Sequence, residues 1–183
     1  METSGKEELL YQQYLTFLLA DEEYAIGVQR VKEIIEYAPI TKVPRVPAWI
    51  RGVINLRGNV VPVVDLALRF GLEERPVTKT SCIVVVEVEQ DAERTVMGIL
   101  ADAVNQVIEL AAKDIEEPPA FGTQVRLDYL SGMGKLGQKF ALVLNVDRVL
   151  SANELLTVSS VQTSTVQPES ELEGVSESVP GAT

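Results

Sequence analysis

The chain contains no histidine and a single cysteine. Without histidine it lacks the commonest general base, the usual partner of a nucleophilic serine and the commonest metal ligand. One thiol, Cys82, can form neither an intramolecular disulfide nor a thiolate zinc cage. It lies in the apolar run SCIVVV at 81–86 and reads as a small buried core residue. Positive charge is scarce: 16 Lys and Arg stand against 27 Asp and Glu, a formal net charge of −11. Such a chain repels phosphate backbones and anionic membrane surfaces, which argues against nucleic acid as a partner. Long hydrophobic runs are also missing. No stretch approaches the roughly 20 apolar residues that span a bilayer, so direct membrane insertion is not expected. The first 13 residues are polar and acidic, unlike a signal peptide. A soluble, cytoplasmic protein is the expectation.

What is present is enough for a core. With 183 residues, 46% of them hydrophobic, the length suits one ordinary domain or two small, closely packed ones. Composition divides the chain into three regions. Residues 1–13 form a flexible leader, and 14–156 carry nearly all of the apolar periodicity. Residues 157–183 are rich in Ser, Thr, Glu and Pro and hold no Lys, Arg or aromatic residue. That last region cannot bury enough apolar area to offset its ordering entropy and reads as a disordered acidic tail.

The middle region reads as many short strands. YLTFLL at 14–19, the acidic turn DEE at 21–23 and YAIG at 24–27 suggest a first hairpin. Val28, Val31, Ile34 and Ile35 share a helical face, which predicts a short amphipathic helix that Pro39, Pro44 and Pro47 then exclude from continuing. Apolar runs at 50–56 and 60–64 flank Arg57-Gly58-Asn59, a tight hairpin turn; Pro62 predicts an edge position or a bulge. Asp65 reads as the N-cap of a brief helix that stops at Gly71. Further strands are expected at 82–88, 95–101 and 104–110, a last hairpin from 125–130 with 139–144, and a C-terminal helix over 147–155 with Val146, Val149 and Leu150 inward. Short strands at close spacing argue for compact all-β barrels.

Candidate chemical motifs weaken on inspection. GMGKLG at 132–137 has the letters of a dinucleotide loop, but a strand-like run follows where that site needs a helix, so a hairpin turn explains it better. The acids at 21–23 and at 116–117 have the look of solvated turns, and Asp65 and Asp102 that of caps or turns. Arg57 at a hairpin tip admits two readings: a solvated turn cation, or one that meets a partner or clamps an acid such as Glu33. Trp49 suits core packing or an interface anchor. Phe121, after Pro118 and Pro119, either folds back into the core or protrudes as an aromatic anchor.

Six segments, in order, resemble the CheW family of coupling proteins: YLTFLLADEEYAI at 14–26, RVKEI at 30–34, IRGVINLRGNVVPVVD at 50–65, MGILAD at 97–102, DYLSGMGKLG at 128–137 and FALVLN at 140–145. The resemblance implies two packed five-stranded SH3-like barrels with an intervening core, no cofactor, no metal and no reaction. It implies docking of a chemoreceptor's cytoplasmic tip and of the regulatory domain of the histidine kinase CheA, with other CheW-like subunits in rings. Receptor-side positions map onto Val31, Glu33, Gly52 and Arg57. Kinase-side positions map onto Ile40, Glu116 and Phe121; Glu116 stands where some members carry a basic residue. Such an adaptor is recruited to membrane-associated arrays. Other readings are a coupling protein of pilus or gliding motility, or a ligand-binding or enzymatic barrel using the inter-barrel groove.

Overall fold

Short turns with left-handed backbone set the hairpins of this molecule. The coordinates, a computed structural model, describe residues 10–90, 92–117 and 129–149. β1 (Tyr11–Leu19) and β2 (Glu22–Gly27) are joined by Ala20 and Asp21, whose φ angles are 50° and 68°. β4 (Ile50–Leu56) and β5 (Asn59–Val64) are joined by Arg57 and Gly58, at 51° and 86°. Positive φ at both central residues gives a turn whose twist matches that of the flanking strands. Glu22 and Glu23 thus belong to a strand, and the first turn sits earlier than the acidic run suggested.

The remaining strands are β3 (Val31–Glu36), β6 (Cys82–Gln90), β7 (Glu93–Ala101), β8 (Ala103–Ala111), β9 (Ile115–Glu116), β10 (Leu130–Leu136) and β11 (Lys139–Leu144). One sheet has the order β8-β1-β2-β11-β10-β9, the other β3-β6-β7-β5-β4. The ends of each sheet are brought together. β8 and β9 are consecutive pieces of chain bent by a 3-10 turn at Ala112–Asp114, and they pair with β1 and β10 at opposite ends of the first sheet. In the second, Thr41 follows β3 and exchanges backbone hydrogen bonds with Val53 of β4, at 2.9 and 2.8 Å. The expected pair of small barrels is the result, with β8 and β9 acting as one bent strand.

Three apolar clusters follow from this closure. One fills the first barrel around Tyr14, Ala25, Leu110, Ala141 and Val143. Another fills the second around Ile54, Val61, Val63, Ile83, Val85 and Leu100. The largest lies between them and includes Phe17, Tyr24, Val64, Leu66, Val84, Met97 and Val149. β6 explains its own composition: Cys82, Val84, Val86 and Val88 face the central cluster, while Ile83 and Val85 face the second barrel. A strand buried on both faces needs no polar alternation. Burial also pushes the Cys82 thiol above its ordinary range.

Several expectations need correction. The helix expected over Val28, Val31, Ile34 and Ile35 is a 3-10 turn, Val28–Arg30, followed by β3. Those apolar positions fit a helical period, but pairing with β6 decides the matter. Val31 packs on the central cluster and Ile35 on the second barrel, while Ile34 is left exposed. Pro62 is not on an edge strand, because β5 lies between β4 and β7; its pairing with β7 begins only at Val63, which spares the proline from that ladder. The 132–137 stretch is mostly strand: β10 continues to Leu136, and the turn is Gly137-Gln138, with φ +62° at the glycine.

Asp65 does cap a one-turn helix, Leu66–Arg69, accepting from the Leu68 amide at 3.2 Å, and Gly71 at φ +85° ends it. The C-terminal helix is described over Val146–Val149, with both valines buried. The leader through residue 9, Phe121, the strand expected over 125–128, Leu150 and the tail lie outside the described residues.

Candidate functional site

The mouth of the second barrel is an open cleft of ≈ 330 Å³. Its floor is apolar, made by Leu56, Val61, Val85 and Val96, and its rim carries Lys32, Glu33, Arg57 and Asn59. The rim follows from strand alternation. On β3, Glu33 and Ile35 are half-buried opposite Val85 and Ile83, which face the second barrel, while a register shift after Val31 turns Val31 to the central cluster. Arg57 reaches the same rim from the opposite edge of the sheet, on the β4–β5 turn.

The structure brings Glu33 and Arg57 together. The guanidinium donates to the Glu33 carboxylate, with Arg57 largely exposed and Glu33 mostly covered. Glu33 stands on one terminal strand of the sheet and Arg57 on the turn that leaves the other, so the pair spans the seam that Thr41 and Val53 close. Asn55 holds the turn from beneath, its Oδ1 accepting from the Gly58 amide at 2.9 Å.

Gly52 and Ile40 meet at this seam. Gly52 has φ +142°, and a β-carbon there would lie 2.8 Å from Ile40 Cγ2 and closer still to the Thr41 carbonyl oxygen. No larger residue fits. Ile40 is half-buried against the second-barrel cluster. Val31 packs against the central cluster, two residues before Glu33. Sequence reasoning therefore named four residues that gather on one barrel: Glu33, Gly52, Arg57 and Ile40. It missed the apolar floor and Asn55; the alternation within β3 and the short side-chain acceptor before Gly58 were the available signals.

Glu116 is elsewhere. It lies on β9 in the first sheet and pairs with Lys135 of β10 at 3.0 Å. Phe121 follows it outside the described residues. Trp49 is half-buried against the central cluster, with the Arg69 guanidinium 5.3 Å over its ring and 5.1 Å from that of Tyr129.

For chemistry the cleft offers little. Among the described residues no group of three or more His, Cys, Asp or Glu could hold a metal ion. Among the acids of the described residues Asp65 has a raised pKa, chiefly because burial disfavours its charge; hydrogen bonding by the Leu68 amide and the Arg51 guanidinium act against that. It is engaged in capping and lies in neither rim nor floor. The floor is apolar, and on the rim Glu33 and Arg57 are paired with each other. Among the described residues no helix is long and apolar enough to cross a membrane.

Known proteins show the same organisation. Residues 13–154 match the family model described as the CheW-like domain. The chain is 33% identical over 154 residues to chemotaxis protein CheW of Klebsiella aerogenes, covering 84% of this chain and 90% of that protein. It is 29% identical over 149 residues to chemotaxis protein CheW of Treponema pallidum, covering 81% and 88%. The crystal structure of scaffolding protein TtCheW from Thermoanaerobacter tengcongensis superposes with a TM-score of 0.70 at 32% identity, covering 79% of this chain and 91% of that one. A match over most of the chain, with two closed barrels around a shared core, places this chain in the CheW-like domain family.

Proposed function

We propose that this chain is a non-enzymatic scaffold that couples chemoreceptors to the histidine kinase CheA. The observation that carries the reading is the Glu33–Arg57 pair on the rim of a cleft with an apolar floor, where the family resemblance puts receptor contacts. Val31, Glu33, Gly52 and Arg57 serve the cytoplasmic tip of the receptor. Ile40, Glu116 and Phe121 serve the regulatory domain of the kinase and, in rings, other CheW-like subunits. The working unit is the 14–156 region, with leader and tail as accessories. It acts in the cytoplasm, recruited to membrane-associated receptor arrays.

Such a scaffold works by position. Holding the kinase beside the receptor raises its local concentration, and several modest contacts add avidity without new chemistry. Receptor signals then shift the kinase between active and inactive populations. The test is receptor pull-down and kinase stimulation with Arg57→Glu, Glu33→Arg and the exchanged double variant. Arg57→Glu is expected to lower receptor binding more than kinase binding, because the new carboxylate faces Glu33. Partial recovery in the double variant measures the coupling between the two residues. Normal receptor coupling by Arg57→Glu would remove Arg57 from the site.

A further inference from the structure

The chain passes from the first barrel to the second through the 3-10 turn Val28–Arg30, between β2 and β3. This crossover has no buried residue and no side-chain cap; its closing bond is the Val31 amide donating to the Val28 carbonyl. Val28 is half-buried and the turn rests beside β1 and β6, a thin apolar hold to which polar contacts add. Such a contact comes from the far end of the described chain. Arg30 Nη2 donates to Asp147 Oδ2 at 2.6 Å, and the Glu89 amide of β6 donates to Asp147 Oδ1 at 2.8 Å.

Asp147 is well placed for this. Its neighbours Val146 and Val149 are buried in the central cluster, at 4% and 0% exposure, so the core sets where its carboxylate stands. Its own amide donates to Asn145 Oδ1 at 3.1 Å. Both oxygens are used, each by a different element: the crossover and β6 of the second barrel. Arg30 and Asp147 keep side-chain exposures of 34% and 26%, so the pair is partly solvated and its loss need not unfold the protein.

We infer that Asp147 is a positioning residue: it clasps the crossover and thereby sets how β3 presents Val31 and Glu33 to the receptor. The second half of this inference rests on the docking reading above; the first does not. It predicts a residue that touches no partner yet governs receptor affinity, through a contact more than 100 residues apart in sequence, the Arg30–Asp147 bond having a separation of 117.

The experiment uses the full chain, with Asp147→Asn, Arg30→Gln, Arg30→Lys and the Asp147→Asn/Arg30→Gln double variant. Asp147→Asn keeps an oxygen for the Glu89 amide and removes the charge. Amide exchange is read across 28–31 and across β10–β11 as an internal control. Binding is read against a soluble receptor cytoplasmic fragment and, separately, the isolated kinase regulatory domain; urea midpoints report the fold. Asp147→Asn and Arg30→Gln are each expected to speed exchange at 28–31 alone and to weaken fragment binding about three- to tenfold, with kinase-domain binding and midpoint little changed. The double variant is expected to be no worse than either single, and Arg30→Lys to retain binding. Unchanged exchange in both singles would overturn the clasp. Faster exchange with undiminished fragment binding would overturn its role in docking and leave the docking reading standing. If the wild-type chain bound no fragment, the docking reading would fall with that role, and the exchange data would still decide the clasp.

Discussion

At Arg57 the backbone and the side chain do separate things. The backbone sits at φ 51°, a region that costs a residue with a β-carbon about 1 kcal/mol. The side chain bridges to Glu33 across the barrel seam. Arg57→Gly removes both, so relief of strain, greater freedom of the unfolded chain and loss of a mostly exposed ion pair offset one another. The expected stability change is within about 1 kcal/mol by urea unfolding, while receptor binding falls.

Asp65 tests a different residue-scale effect. Burial is the main cause of its raised pKa, so the neutral acid is favoured more in the folded than in the unfolded chain. For a raised pKa the contribution to stability is complete below the ordinary value of 3.8 and is lost as pH rises through the folded value. Asp65→Asn keeps an N-cap and removes the titration. The variant is therefore expected to gain on wild type between pH 3.8 and neutrality, read as the difference in urea midpoints along that range.

Closure of the second barrel is decided at the scale of elements. Its terminal strands do not pair along their length; Thr41 and Val53 make one bridge, and Gly52 lets the two backbones approach. Any β-carbon at 52 meets the Thr41 carbonyl and Ile40, and the backbone is left-handed there as well. Gly52→Ala is expected to cost about 2–4 kcal/mol, from strain and overpacking together. Because Ile40 and the Glu33–Arg57 seam belong to the same closure, faster amide exchange at Thr41 and Val53 should accompany the loss. An unchanged denaturation midpoint would show that the seam gives way at no cost. β6 illustrates the opposite case, a strand that both faces hold in place.

At the scale of the whole molecule, the second barrel is inserted into the first. The chain leaves after β2, builds β3 to β7 as one sheet and returns with β8 to complete the other. Two passages join the barrels, and the largest apolar cluster takes residues from both. Neither barrel can unfold without exposing that shared surface, so a single cooperative transition is expected. Trp49 is the sole tryptophan and packs on the shared cluster. Its fluorescence and the far-UV circular dichroism should report the same urea midpoint. Two separated midpoints would mean that the barrels part before they melt.

Strand content, the Arg57-Gly58 hairpin, the Asp65 cap and the buried 82–88 run were legible in the sequence, because each depends on neighbours within a few residues. The family resemblance was legible for a similar reason, since its motifs are contiguous strings. The 31–36 segment was not. Its apolar spacing suits a helix and a strand alike, and only pairing with β6, some 50 residues on, selects between them. Pro62 was misplaced because edge or interior is a property of the finished sheet. The candidate site divides in the same way. Side-chain chemistry suggested Glu33 as an acid for Arg57, while barrel closure brought them into contact and supplied the apolar floor between them. Composition and local turn chemistry settle what each short segment can be. Non-local backbone pairing and shared burial decide which faces meet, because those energies exist only once distant strands are side by side.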